Sequence, residues 1–297
     1  MIKVGIVDFD TSHVVQFTKR MNHVGIEQDQ WVDGAQVVAG CPCESRHSPD
    51  RVAGYTDELR KLGVEIVAKP EDLIGKVDAV CLEANDGTVH LQRAKPFLQA
   101  GMPCYIDKPL ECNLDNAKEI LRLAKKHKVP VFSSSSLRFC PEVQAMVNNP
   151  ETGKIFGADA WSPASEHPLN PGLFNYGIHG VEILYTLMGP GCKRLSCAYT
   201  PGAEVVTGVW KDERIGVLRG TRAGSHSYGF AVWGEKACKQ SGLSTQFIYR
   251  ELCKQIVTMF QTGQPPFDPE ITLEIMAFMT AAIDSRNQKG AWVDLNL

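Results

Sequence analysis

The stretch Cys104-Tyr-Ile-Asp-Lys-Pro-Leu110 decides how the chain reads. It is a short apolar run that stops abruptly on an acid, a lysine and a proline. After a helix-stop glycine, Gly101, such a run predicts a buried strand of a parallel sheet. Pro109 has no N–H for a ladder and restricts Lys108 to extended conformations, so the strand should end there. Asp107 and Lys108 then fall at the carboxyl edge of a sheet, where open α/β folds bind their ligands.

Upstream of this stretch, short apolar runs at 2–7, 37–41, 64–67 and 79–82 read as further strands, and 129–133 follows as a sixth. Helical patterns lie between most of them. Val14, Phe17 and Met21 share one face of the first, and Ser48-Pro49 opens the second with an N-cap and an N1 proline. Asn113 caps a helix reaching about Lys126, with Ala117, Ile120, Leu121 and Ala124 on one stripe. This alternation predicts a doubly wound, Rossmann-like parallel sheet over residues 1–135. The segment 23–34 reads as an inserted loop.

Beyond residue 135 the texture changes. Helices are expected at 141–148, 176–188, 246–262 and 269–285. A strand is entered near 153–157, and the runs 195–199, 205–210, 215–219 and 227–233 alternate like antiparallel strands. Residues 136–297 therefore read as a second, α+β domain with an open, largely antiparallel sheet.

Composition narrows the function. With 43% hydrophobic and 22% charged residues the chain is of globular type, and its net charge of −3 argues against a nucleic-acid partner. No apolar run approaches the ~20 residues that span a bilayer, so no membrane partner is expected. The N-terminus enters a strand without a signal-peptide layout, which points to the cytoplasm. The ten cysteines are scattered, and Cys41-Pro-Cys43 is the only close pair. No second pair or histidine cluster completes a zinc site, so reduced structural thiols and no metal are expected.

Asp107-Lys108-Pro109 after its Ala-Gly-x-x-x-Tyr-Ile run resembles the Glu-Lys-Pro signature of the glucose–fructose oxidoreductase / inositol dehydrogenase (Gfo/Idh/MocA) family. Val80–His90 is similar to that family's strand-plus-P-x-x-x-H segment, without the proline. Leu137-Arg-Phe-Cys-Pro141 resembles its R-F-x-P segment. Gly172-Leu-Phe-Asn-Tyr-Gly-Ile-His179 resembles its G-x-L-x-D-x-G-x-H helix start, and Pro269-Glu-x-x-x-Glu274 follows near the end. The resemblance spans essentially the whole chain. It implies an NAD(P)-dependent oxidoreductase that moves a hydride between nicotinamide and a sugar or polyol, and a homo-oligomer built through the C-terminal sheet. It also implies that Lys108 contacts both nicotinamide and the reacting hydroxyl, that His179 accepts the hydroxyl proton, and that Arg138 lines the substrate cleft. Glu83, Asn85 and His90 would lie on the nicotinamide-ribose side.

The chemistry of these residue types agrees with those roles. A lysine can stabilise a developing alkoxide, and a histidine titrates near neutrality. Asn175 stands where the family has an aspartate. Four residues before His179, it would share a helical face with it and orient the ring without offsetting its charge. Glu182, one turn on, could supply that charge.

The first turn departs from the family. A dinucleotide fingerprint needs G-x-G-x-x-G, but this chain has Asp8-x-Asp10-x-x-His13. Carboxylates there disfavour a pyrophosphate. Thr11 and Ser12 could still bind phosphate, and His13 could carry charge toward it. Near the expected ribose acid, Glu44 would suit a free 2′-hydroxyl and Arg46 a 2′-phosphate, leaving NAD and NADP both open. Two other readings remain. One is a non-catalytic, ligand-binding relative. The other is a phosphohydrolase using Asp8 in Asp8-Phe-Asp10-Thr11 as nucleophile with Lys108 as the later lysine, although the acidic pair expected after that lysine is missing.

Overall fold

Apolar runs bounded by turn residues form the strands of the first sheet in the computed structural model, which describes residues 1–297. The chain folds into two units, Met1–Ser134 with Tyr249–Pro269, and Ser135–Ile248 with Glu270–Leu297.

The first unit runs β1 (Ile2–Val7), α1 (His13–Met21), β2 (Ala35–Cys41), α2 (Pro49–Lys61), β3 (Glu65–Ile66), β4 (Ala79–Leu82), α3 (His90–Gln99), β5 (Cys104–Ile106), α4 (Leu114–His127) and β6 (Val131–Ser133). Its sheet has the order β3-β2-β1-β4-β5-β6, with every pair parallel. This is the doubly wound order whose switch point, between β1 and β4, binds dinucleotides. β4 and β5 are buried at every residue, as strands covered on both faces must be. Asn113 caps α4 by accepting from the amides of Asp115 and Asn116. Segment 23–34 holds one 3-10 turn, Gln28–Gln30, tied to α1 through Arg20 Nη2 and Gln30 Oε1 at 2.9 Å.

The second unit contains α5 (Pro141–Gln144), β7 (Ile155–Pro163), α6 (Ile178–Met188), β8 (Cys192–Thr200), β9 (Ala203–Trp210), β10 (Ile215–Thr221), β11 (Gly229–Gly234) and β12 (Cys238–Gly242). After α7 (Ile248–Thr262) it continues with α8 (Glu270–Asn287) and β13 (Val293–Asp294). The sheet order is β12-β11-β7-β10-β9-β8-β13, antiparallel except between β7 and β10. Gly180 lets α6 lie close against this sheet: a Cβ there would come within 2.5 Å of Leu218 Cδ1 and 2.8 Å of Ser162 Oγ.

Two expectations change. The helix expected over 141–148 stops at Gln144, because the residues up to 152 form turns rather than a continuous ladder. The division is not a single cut at 135, because Tyr249–Pro269 belongs to the first unit. Aromatic packing holds it there. Tyr249 meets the rings of His13 and Phe17 at 5.0 and 6.2 Å, and Phe267 meets Phe132 at 6.0 Å.

Candidate active site

At the carboxyl edge of β1 the missing glycines have been replaced by charge pairing. Asp8 has φ = 66°, the left-handed conformation that a fingerprint glycine would supply. Arg93 on α3 holds it there, with Nε 3.1 and 3.2 Å from the two carboxylate oxygens. Burial raises the Asp8 pKa and Arg93 opposes that. A carboxylate committed in this way is a poor nucleophile, which removes the basis of the phosphohydrolase reading.

Asp10 is engaged as well. It accepts from the Asn85 amide at 2.9 Å and from Ser45 Oγ at 2.6 Å, while Asn85 Nδ2 donates back to the Asp10 carbonyl at 2.8 Å. Asp10 and Asn85 are thus brought together as struts between the loops after β1, β2 and β4. Ser12 begins α1 without a side-chain cap, and Thr11 Oγ1 is only distantly placed, 3.5 Å from the His13 amide. Thr11 is buried, while the Ser12 side chain caps none of the first amides of α1.

Glu44 is exposed, whereas Arg46 donates to Asp86 Oδ2 at 2.6 and 3.1 Å. Burial works against the Asp86 carboxylate, but Thr88 and Arg46 outweigh it and hold its pKa low. His90 is fully buried, with Nδ1 2.9 Å from the Pro109 carbonyl and Nε2 3.1 Å from the Ala84 carbonyl. The ring therefore staples the loop after β4 to the loop after β5 and has no nitrogen left for a cofactor, contrary to the sequence expectation.

Lys108 follows β5 at 8% exposure and makes no ion pair. Around it lies a cluster that the sequence did not foretell. Asp107 and Glu83 have no exposed surface, and His13 Nδ1 stands 2.9 Å from Asp107 Oδ2 and 3.6 Å from Glu83 Oε2. His13 therefore points inward at two carboxylates, not outward at a phosphate. Its ring stacks on Phe17 at 5.2 Å. Burial disfavours the imidazolium, yet Asp107 and Glu83 together raise the His13 pKa well above its ordinary value. Burial also opposes the Asp107 carboxylate, and His13 with Lys108 overcomes this to hold its pKa low. Glu83 shows the opposite balance: burial dominates and pushes it up to about 7. These three side chains put metal-capable atoms within 4.8 Å of one another, but the imidazolium already supplies the positive charge a cation would bring.

In the second unit, His179 lies in the first turn of α6 with Nδ1 2.6 Å from Ser135 Oγ. Tyr176 and Tyr228 set their rings edge-on to it at 5.3 and 5.8 Å. Asn175 does not share its helical face. α6 begins only at Ile178, and Asn175 Nδ2 instead donates to the Ser165 carbonyl at 2.9 Å. Glu182 does not serve His179 either. It receives Arg138 Nε at 2.5 Å and the Ser135 amide at 3.3 Å. Burial raises the Glu182 pKa and Arg138 offsets it. Arg138, 6% exposed, is thus bound up in a buried ion pair. Ser135 was missed at the sequence level, where it was one of four consecutive serines with nothing to single it out. Glu274 accepts from the amides of Gly191 and Cys192 at 2.6 and 2.8 Å and anchors a turn.

Residues 46–135 match the family model described as "Oxidoreductase family, NAD-binding Rossmann fold", that of Gfo/Idh/MocA. No curated protein matches the sequence. Among solved structures, scyllo-inositol dehydrogenase from Lactobacillus casei, with bound NAD(H) and scyllo-inositol, superposes with a TM-score of 0.81 at 15% identity, covering 99% of both chains. Myo-inositol 2-dehydrogenase from Lactobacillus plantarum gives 0.81 at 16% identity, again over 99% of both. Myo-inositol dehydrogenase from Lactobacillus casei, in complex with NAD(H) and myo-inositol, gives 0.80 at 15%, covering 100% of this chain and 97% of that one. The fold is therefore that of these dehydrogenases throughout, and residues 46–135 carry the NAD-binding Rossmann fold of the oxidoreductase family. No helix is long and apolar enough to cross a membrane.

Proposed function

We propose that this chain, whose residues 46–135 match the Gfo/Idh/MocA family, is an NAD-dependent oxidoreductase that oxidises a carbinol of a sugar or cyclic polyol to the ketone. The observation that carries this reading is Lys108, a nearly buried lysine without an ion pair at the carboxyl edge of a sheet with dinucleotide-binding strand order. The first turn fits the cofactor in its own way. Asp8 is neutralised by Arg93 and Asp10 is tied to Ser45 and Asn85, so neither acid is left to face a phosphate alone. Thr11, Ser12 and the uncapped start of α1 would hold the pyrophosphate. NAD is favoured over NADP because Arg46, the cation a 2′-phosphate would use, is already paired with Asp86.

NAD supplies the hydride acceptor when bound. Lys108 holds the reacting oxygen and stabilises the alkoxide that forms as the proton leaves. His179 takes that proton. In the tautomer that donates Nδ1–H to Ser135 Oγ, Nε2 is the basic nitrogen. Ser135 fixes the ring through its hydroxyl. Asn175, Arg138 and Glu182 support this unit through their own partners. The protein works in the cytoplasm as a homo-oligomer through the second sheet, whose strands carry the exposed Ile215 and Trp233.

Calorimetric titration with NAD, NADH, NADP and NADPH, together with turnover of inositols and sugars by wild type and Lys108→Ala, tests the proposal. NAD or NADH should bind, and Lys108→Ala should lose turnover while keeping its melting temperature. Absence of heat and of any thermal shift at millimolar nucleotide would replace this reading with that of a non-catalytic, ligand-binding relative.

A further inference from the structure

Two fully buried carboxylates, Glu83 and Asp107, flank the site of Lys108, and electrostatically both act on it. A lysine in that position would ordinarily be captured by one of them, because an unpaired buried carboxylate is costly. Lys108 nonetheless makes no ion pair. Asp107 is instead engaged elsewhere. Its Oδ1 accepts from Tyr105 at 3.3 Å, its amide donates to the Leu82 carbonyl at 2.8 Å, and its carbonyl accepts from Ser133 Oγ at 3.3 Å. Its Oδ2 faces His13 at 2.9 Å. Neither oxygen of Glu83 finds a hydrogen-bond donor, and its nearest cation is the same imidazole, at 3.6 Å.

His13 occupies the third fingerprint position, where glycine normally allows a helix to pack closely on its strand. Here a side chain of full size enters instead. It is wedged between Phe17 and Tyr249, with its polar edge turned to the acids. We infer that His13 is a positioning residue for Lys108: its imidazolium covers Glu83 and Asp107, so that the Lys108 ammonium stays unpaired and available to a substrate oxygen. The remaining titratable or charged neighbours are Tyr249 against His13, Arg20 over the Tyr249 ring, and Tyr105, Cys81 and Cys253 beside the acids. None of these supplies a second cation in contact with the two carboxylates, since Arg20 is bonded to Gln16 and Gln30.

The catalytic consequence rests on the role proposed above for Lys108, but the charge arrangement does not, so it is read directly by chemical labelling. Wild type, His13→Gln, Glu83→Gln and the double variant are treated with cyanate at pH 8, and carbamylation of Lys108 is followed by peptide mass spectrometry. In His13→Gln the two carboxylates are uncovered and the ammonium is drawn into an ion pair with them. Its labelling should then slow by roughly tenfold. Adding Glu83→Gln to His13→Gln should recover much of the lost rate, because one of the two charges is gone. Glu83→Gln alone should speed labelling only slightly, less than it does in the His13→Gln background, since His13 already covers the acids. Unchanged labelling in folded His13→Gln overturns the inference. So does an acceleration of roughly tenfold or more in Glu83→Gln alone, which would mean that His13 leaves Glu83 uncovered; that variant remains informative even if His13→Gln does not fold. These readouts hold whether or not the enzyme turns over a sugar.

Discussion

Replacing Glu83 with Gln should change how the stability of the protein depends on pH. Glu83 is fully buried, and burial is the main reason its pKa rises from 4.5 to about 7. A raised carboxyl pKa means that the folded protein holds the proton more tightly than the unfolded chain does. Its contribution to stability is therefore complete below pH 4.5 and is lost as pH rises toward 7, above which nothing further is lost. Each pKa unit corresponds to about 1.36 kcal/mol, so the full span is roughly 3 kcal/mol. The window from pH 4.5 to 6.5 isolates this effect, because unfolded His13 titrates only near 6.5 and the folded ring holds its proton higher still. Within that window wild type should lose about 2 kcal/mol that Glu83→Gln, with a neutral side chain of the same shape, does not lose. Urea unfolding of both proteins at pH 4.5, 5.5 and 6.5 measures this. The two stability curves should separate steadily. Curves that stay parallel, whatever their offset, would refute the argument that burial outweighs the charge His13 and Lys108 offer this carboxyl.

Three further outcomes follow from the second unit. Arg138→Met should destabilise by about 3–5 kcal/mol, because it leaves Glu182 buried without its cation. The double variant Arg138→Met/Glu182→Leu should recover most of that loss in the same melts. Asn175→Asp should leave the acidic limb of the pH–rate profile where it is, because residue 175 faces Ser165. Ser135→Ala should lower kcat by removing the bond that orients His179 Nδ1, and an unchanged kcat would contradict the geometry.

Periodicity and punctuation in the sequence were enough for the parallel sheet, because those signals are local. β5 stops where Pro109 forbids a ladder, and α4 starts where Asn113 offers its side chain to two amides. The same holds for the position of Lys108 at the strand's end. β12, Cys238–Gly242, escaped notice because a polar edge strand has no apolar alternation to read. The transfer of Tyr249–Pro269 to the first unit escaped too, since α7 looks like any amphipathic helix until its aromatic partners are known.

The side-chain pairings belong to tertiary structure alone. Asp8 and Arg93 are 85 residues apart, and Asp10 and Asn85 are 75 apart. The sequence showed the glycine fingerprint as lost but not the pairings that take its place. His13 read as a charge near a phosphate, yet it points at Glu83 and Asp107, because two fully buried acids favour a neighbouring ring that can hold a proton. His179 and Asn175 are four apart, a spacing that puts residues on one face only inside a helix. α6 begins after Asn175, so the ring turns to Ser135 instead. Where residues are linked through the backbone the sequence determined the outcome, and where they are linked through burial only the folded chain did, because desolvation is a property of everything packed around a group.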